Sequence, residues 1–152
     1  REVEAAARIL DENYQVDADI WSLTSVNQLQ REGKATVRWN MLHPDEEPRI
    51  PYVTRLLSED GGPFIAATDY LKAHTDQIRE FVPGRFTVLG TDGYGRSDTR
   101  DKLRAFFEVR REYVVLAALK SLADEGRFEA AAVKEAMRDM GIPADKVDPL
   151  TI

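Results

Sequence analysis

Apolar residues recur at helical spacing near the start of the chain. Val3, Ala6, Ile9 or Leu10, and Tyr14 share one stripe, and Glu4, Arg8, Asp11 and Glu12 occupy the other faces. This predicts an amphipathic helix over residues 2–14. The pattern then changes period. Val16-Asp17-Ala18-Asp19-Ile20-Trp21 is mostly apolar at alternate positions, which predicts a half-buried strand. Residues 22–33 predict a second helix, with Thr24 or Ser25 as its cap and Gly33 at its end. Residues 34–51 hold Trp39, Met41 and His43, then Pro44, Pro48 and Pro51 around an acidic cluster. They predict a connector with little regular structure and a short helix near Trp39. Pro51 suits the first turn of a brief helix through Leu57.

Gly61-Gly62-Pro63 breaks the chain, and Phe64-Ile65-Ala66-Ala67-Thr68 predicts a short buried strand. Asp69 can cap a helix running to about Phe81, with Leu71, Ile78 and Phe81 inward. After Pro83-Gly84, Phe86-Thr87-Val88-Leu89 predicts a third strand. A glycine-rich stretch, 90–98, leads to a helix over about 99–107, capped by Ser97 or Asp98. Two helices close the chain, over 112–125 with Gly126 after it and over 129–140 with Gly141 and Pro143 after it. The tail from Ala144 reads as irregular. Strands alternating with helices predict an α/β fold: a three-layer, mostly parallel open sheet flanked by helices, in a single domain over residues 1–152.

Composition narrows the classes of function. The 152 residues carry 21 Lys and Arg against 27 Asp and Glu, a net charge of −6. That balance argues against a general nucleic-acid binder, which needs a basic face. With no cysteine, disulfide frameworks and thiolate chemistry are excluded. No apolar run approaches the roughly 20 residues that cross a bilayer, so neither nucleic acid nor membrane is an expected partner. The opening Arg1-Glu2-Val3 enters a helix at once and reads as part of a longer polypeptide.

The most conspicuous candidate site is the 90–98 loop: Gly90, Asp92, Gly93, Tyr94, Gly95, Arg96 and Ser97, followed by Asp98. A strand, a glycine-rich turn and a helix start can receive an anion, and Arg96 and Arg100 would add positive charge. The Gly-x-x-Gly-x-Gly spacing is neither the dinucleotide fingerprint nor the P-loop, and Asp92, Asp98 and Asp101 oppose a phosphate. A tight turn with positive φ at Gly93 or Gly95, or an interface loop, are the other readings. The chain has two histidines, His43 and His74. His43 precedes Pro44 and the acidic trio Asp45, Glu46 and Glu47, but adjacent loop residues rarely converge on one ion, so no metal site is expected. His74 reads as a surface or half-buried imidazole. No serine has a nucleophile-elbow context, which argues against a self-contained hydrolase. Trp39-Asn40-Met41-Leu42 is more apolar than a connector needs and should pack on the domain or on a partner.

Several strings carry a resemblance. VPGRFTVLGTDGYGRSDTRDKLRAFFEV over residues 82–109, RWNMLHPDEEPRIPYV over 38–53 and ATDYLKAHTDQIREFVP over 67–83 resemble the C-terminal domain of the bacterial homodimeric pyruvate dehydrogenase first component, a transketolase-like family. REVEAAARIL over 1–10, YVVLAALKSLADEG over 113–126 and ADKVDP over 144–149 match it in order. The resemblance implies a cytoplasmic, homodimeric subunit of three α/β domains. It would bind thiamine diphosphate and Mg²⁺ between its first two domains, decarboxylate pyruvate, and pass acetyl to the lipoyl arm of the dihydrolipoyl acetyltransferase component. It also implies that this last domain supports the dimer and its neighbouring domains, and is inactive alone. The family's thiamine motif opens Gly-Asp-Gly and closes on an Asn pair. Here Thr91 precedes Asp92-Gly93, and Asn stands singly at 13, 27 and 40. No catalytic, cofactor-binding or metal-binding residue therefore carries over. The alternative is an anion-binding regulatory module built on the 90–98 loop.

Overall fold

A computed structural model describes residues 1–59 and 61–152. At its centre are two parallel strands, β1 (Phe64–Ala67) and β2 (Phe86–Leu89), paired in register from Phe64 with Phe86 to Ala67 with Leu89. Successive strand side chains point to opposite faces, and each face feeds a separate core. Ile65, Ala67 and Leu89 pack with Ala6, Leu10, Val114, Val115, Leu119, Val133 and Ala136. These residues belong to α1 (Glu2–Tyr14), α6 (Arg111–Asp124) and α7 (Ala130–Asp139). Phe64, Ala66, Phe86 and Val88 pack the other way, with Val26, Val53, Ile78, Phe81 and Val82. That layer holds α2 (Val26–Leu42), α3 (Tyr52–Leu57) and a crossover made of α4 (Lys72–Asp76) and a 3₁₀ turn at Arg79–Phe81. The result is helix, parallel sheet, helix: the expected α/β architecture, with a sheet of two strands among the described residues.

The helices over 2–14, 111–124 and 130–139 follow the apolar spacing closely. Gly126 and Gly141 end α6 and α7 with φ of 71° and 67°. Four expectations need correction. Val16 to Trp21 forms no strand: the alternation is present, but no ladder pairs with it, and Ile20 and Trp21 stay exposed. The second helix starts later, at Val26, with the Ser25 hydroxyl accepting from the Gln28 amide at 3.4 Å. It runs through Gly33 to Leu42, so half of the expected connector, residues 34–42, is helical. Gly33 is there for space. A Cβ on it would lie 2.5 Å from the Phe81 ring, so only glycine admits that ring against the helix.

The helix expected over 69–81 is split. Asp69 accepts from Arg104 instead of capping it, and Leu71 is exposed, whereas Ile78 and Phe81 are buried as expected. The fourth correction concerns α5 (Arg100–Phe106), which has no side-chain cap: the Asp98 carboxylate accepts from the Thr99 amide, one residue short of the helix. The tail ends in a 3₁₀ turn at Pro149–Thr151, capped by Asp148.

Candidate functional site

The 90–98 loop leaves the end of β2 and is fastened at its root. Gly90 is buried because backbone crosses directly over it: a Cβ there would sit 2.6 Å from the Tyr70 carbonyl oxygen and 2.8 Å from the Lys72 nitrogen. The Thr91 amide donates to that same Tyr70 oxygen at 2.9 Å. Asp92 reaches back to α4, where its carboxylate accepts from the Lys72 amide at 3.0 Å and pairs with the Lys72 ammonium at 3.8 Å. Asp92 is thus a cap for the crossover helix. That role explains an acidic residue in a loop otherwise suited to anions.

Beyond Asp92 the loop turns outward. Gly93 has φ of 105°, the left-handed turn expected at Gly93 or Gly95, and it lies against the tail: a Cβ would meet the Pro149 oxygen at 2.9 Å. Tyr94 is 82% exposed. Gly95 and Ser97 are exposed, and the Arg96 guanidinium sits 5.0 Å from the centre of the Phe106 ring. Arg100 is exposed at the first position of α5, flanked by Asp98 and Asp101. The structure therefore brings Gly90, Thr91 and Asp92 to the crossover and Gly93 to the tail. Tyr94, Gly95, Arg96 and Ser97 form a projecting face. α5 is seven residues long, and its open end already faces the Asp98 carboxylate.

A second surface surrounds the end of α2. The Trp39 indole is sandwiched, with the His43 ring stacked at 4.1 Å and 10° on one contact and the Arg49 guanidinium 3.6 Å from its centre on another. Asn40 fixes this arrangement. Its side-chain oxygen accepts from the Arg49 amide and its nitrogen donates to the Arg49 carbonyl, both at 2.8 Å. One amide thereby satisfies both backbone groups of a residue nine positions on, as a strand neighbour would. His43 also contacts the Trp39 carbonyl through Nδ1 at 2.8 Å. Met41 (70% exposed), Leu42, Ile50 and Tyr52 are exposed. His74 lies edge-on to Tyr70 at 5.2 Å. Both imidazoles therefore do packing work.

Sequence reasoning missed a third cluster. Glu2 accepts from the Arg111 guanidinium at 3.0 and 3.2 Å, from the Arg111 amide at 3.2 Å and from Arg104 at 3.3 Å. Arg104 also donates to Asp69 at 3.0 Å. The Arg111 bonds outweigh burial and hold the Glu2 carboxyl below the usual range, while Asp69 and then Glu2 raise the Arg104 guanidinium. No local signal could reveal a pair 109 positions apart.

Among the described residues no group of three His, Asp or Glu side chains is placed to hold a metal ion.

The geometry defines a three-layer α/β domain whose polar clusters serve capping, clasping and stacking. The model of the transketolase-like TK C-terminal domain matches residues 1–110, and this chain belongs to that family. It is similar to proteins named pyruvate dehydrogenase E1 component: 52% identical over 151 residues to that of Pseudomonas aeruginosa, and 50% over 152 residues to that of Cupriavidus necator. Identity to the Escherichia coli K12 protein is 47% over 150 residues. These matches cover 98–100% of this chain and 17% of each relative.

Proposed function

We propose that this chain is the C-terminal domain of a pyruvate dehydrogenase E1 component, and that its own work there is structural. The observation that carries the assignment is identity near 50% sustained from one end of the chain to the other. The matched region spans the stretches that form the Trp39 sandwich and the 90–98 loop. The full subunit would be a cytoplasmic homodimer that decarboxylates pyruvate and passes acetyl to the lipoyl group of the dihydrolipoyl acetyltransferase component. Thiamine diphosphate and Mg²⁺, bound elsewhere in the subunit, would supply the carbanion-stabilising chemistry. The partners of this domain are then the rest of its own subunit and the second copy.

The side chains favour that division of labour. Tyr94, Met41, Leu42, Ile50 and Trp21 leave apolar surface exposed. Such surface suits burial at a permanent interface. Asp92, Arg96 and Asp98 are each engaged within the domain, which weighs for an interface loop over the anion-binding alternative.

The test compares the full-length subunit with a version truncated before this domain. The expected outcome is loss of the dimer by mass measurement together with loss of pyruvate decarboxylation. The 152-residue chain alone, supplied with coenzyme and Mg²⁺, should show no turnover. A truncated subunit that stays dimeric and fully active would overturn the structural role.

A further inference from the structure

The outward face of α2 carries one sign of charge. Val26, Gly33 and Thr36 are the buried residues of that helix. With about 3.6 residues per turn, the side opposite them carries Asn27, Arg31, Lys34, Ala35 and Arg38, and all five are exposed. Arg31 and Arg38 stand two turns apart, about 10 Å along the axis. Among the described residues none of the three cations forms an ion pair, whereas Arg79, Arg104, Arg110 and Arg111 all do.

The helix has a single carboxylate, and it is turned aside. Glu32 accepts from the Tyr52 amide at 2.9 Å and from the Thr36 hydroxyl at 3.1 Å, toward α3. Asp45, Glu46 and Glu47 lie past the end of the helix, and among the described residues they form no ion pair with the stripe. Like charges three and four positions apart on a helix repel each other. Arg31, Lys34 and Arg38 therefore weaken α2, and nothing within the domain offsets the repulsion.

The physics of the stripe selects its counterpart. A net charge of −6 opposes a nucleic acid. A second copy docked through the same face would set cations against cations, because a twofold contact places a patch on itself. A permanent interface has an apolar centre from which charged side chains, lysine above all, are depleted; between Asn27 and Arg38 this face holds no large apolar side chain. Unpaired surface cations suit a contact that forms fast, dissociates readily and depends on salt. We infer that this face of α2 docks reversibly on an acidic surface of a separate protein, which presents carboxylates to Arg31, Lys34 and Arg38. The stripe belongs to this chain alone, so the inference is independent of the reaction the full-length protein carries out.

Photocrosslinking in cells tests it, with Lys34 replaced by p-benzoylphenylalanine in the full-length protein. A crosslink to a separate protein is expected, at a segment rich in Asp and Glu. Its yield should fall at least tenfold when Arg31→Glu and Arg38→Glu are added; both side chains are exposed, so the fold should hold. In parallel, a fluorescent helical peptide with glutamates at the i, i+3 and i+7 spacing should bind the purified full-length protein. Its affinity should drop at least tenfold in the R31E/R38E protein, and also when salt is raised from about 0.05 M to about 0.5 M, where exposed charges are screened. The same peptide with lysines in place of glutamates should prefer the R31E/R38E protein. Crosslinks confined to the same subunit, to a second copy or to nucleic acid overturn the inference. So does the absence of any crosslink, or one at a segment without acidic residues. Equal affinity of the glutamate peptide for the wild-type and R31E/R38E proteins overturns it as well.

Discussion

Replacing Gly33 by alanine sets two effects of opposite sign against each other. In an exposed helix the change stabilises by about 1 kcal/mol, because alanine loses less backbone entropy. Here the new methyl would lie 2.5 Å from Cδ2 and Cε2 and 2.7 Å from Cζ of Phe81, over 1 Å inside ordinary contact. That ring is 3% exposed and sits in the core with Val26, Val53 and Ile78, so it cannot simply swing out. Its backbone oxygen is also held by the Thr54 hydroxyl at 2.5 Å. Forcing a methylene into a filled core costs about 1–3 kcal/mol, and this overlap is at the severe end. The propensity gain offsets part of it, which leaves a net loss of about 1–2 kcal/mol. For a chain of this length that lowers the melting temperature by about 3–6 °C, measurable by circular dichroism at 222 nm. The double variant G33A/F81L separates the causes. Leucine lacks the far ring edge, so the penalty of G33A should shrink by about 1 kcal/mol in that background. An unchanged or raised melting temperature for G33A alone would refute the close-packing argument.

Two further outcomes follow from the polar clusters. Glu2 has a depressed carboxyl pKa, so its stabilisation is fully present above the ordinary glutamate value near 4.3 and fades as pH falls through the lower folded-state value. Glu2→Gln should cost about 2 kcal/mol at pH 7 by removing charge-assisted bonds to Arg111 and Arg104. The difference between wild type and variant should narrow in urea titrations run at progressively lower pH below 4. A gap that widens on acidification would contradict the geometry. Asn40→Ala frees the Arg49 backbone and should cost about 1–2 kcal/mol. It should also expose residues 44–50 to limited proteolysis at rates well above wild type, while Asn40→Asp, which keeps one acceptor for the Arg49 amide, should fall between.

What could be read from the sequence divides by range of interaction. The helices over 2–14, 111–124 and 130–139 were legible because their stripes and their closing glycines are local. Phe64–Ala67 and Phe86–Leu89 stood out because apolar runs between breakers admit little else. The three-layer arrangement followed from their alternation with helices. Gly33 misled because its partner, Phe81, lies 48 positions further on: a glycine kept for space looks the same in sequence as one kept for a turn. Val16 to Trp21 misled for a related reason, since alternation states a preference and a ladder needs a neighbour. At the 90–98 loop the turn at Gly93 was legible, but the tie from Asp92 to Lys72 was not. Neither was the clasp of Glu2 on Arg111. Both join elements that are remote along the chain, and no spacing rule reports on them.

The paired tetrapeptides act as a septum, and this makes misalignment doubly expensive. On one side Phe64, Phe86 and Val88 present bulk to their helices; on the other Ile65, Ala67 and Leu89 fit a shallower bed, with Thr87 within 3.5 Å of the Ser121 hydroxyl. Sliding either tetrapeptide by a single position would hand the aromatic rings to the wrong compartment and strand a hydroxyl in the oily one. Both halves of the molecule would object at once, so a ribbon only eight residues in size can dictate how all the surrounding helices are seated.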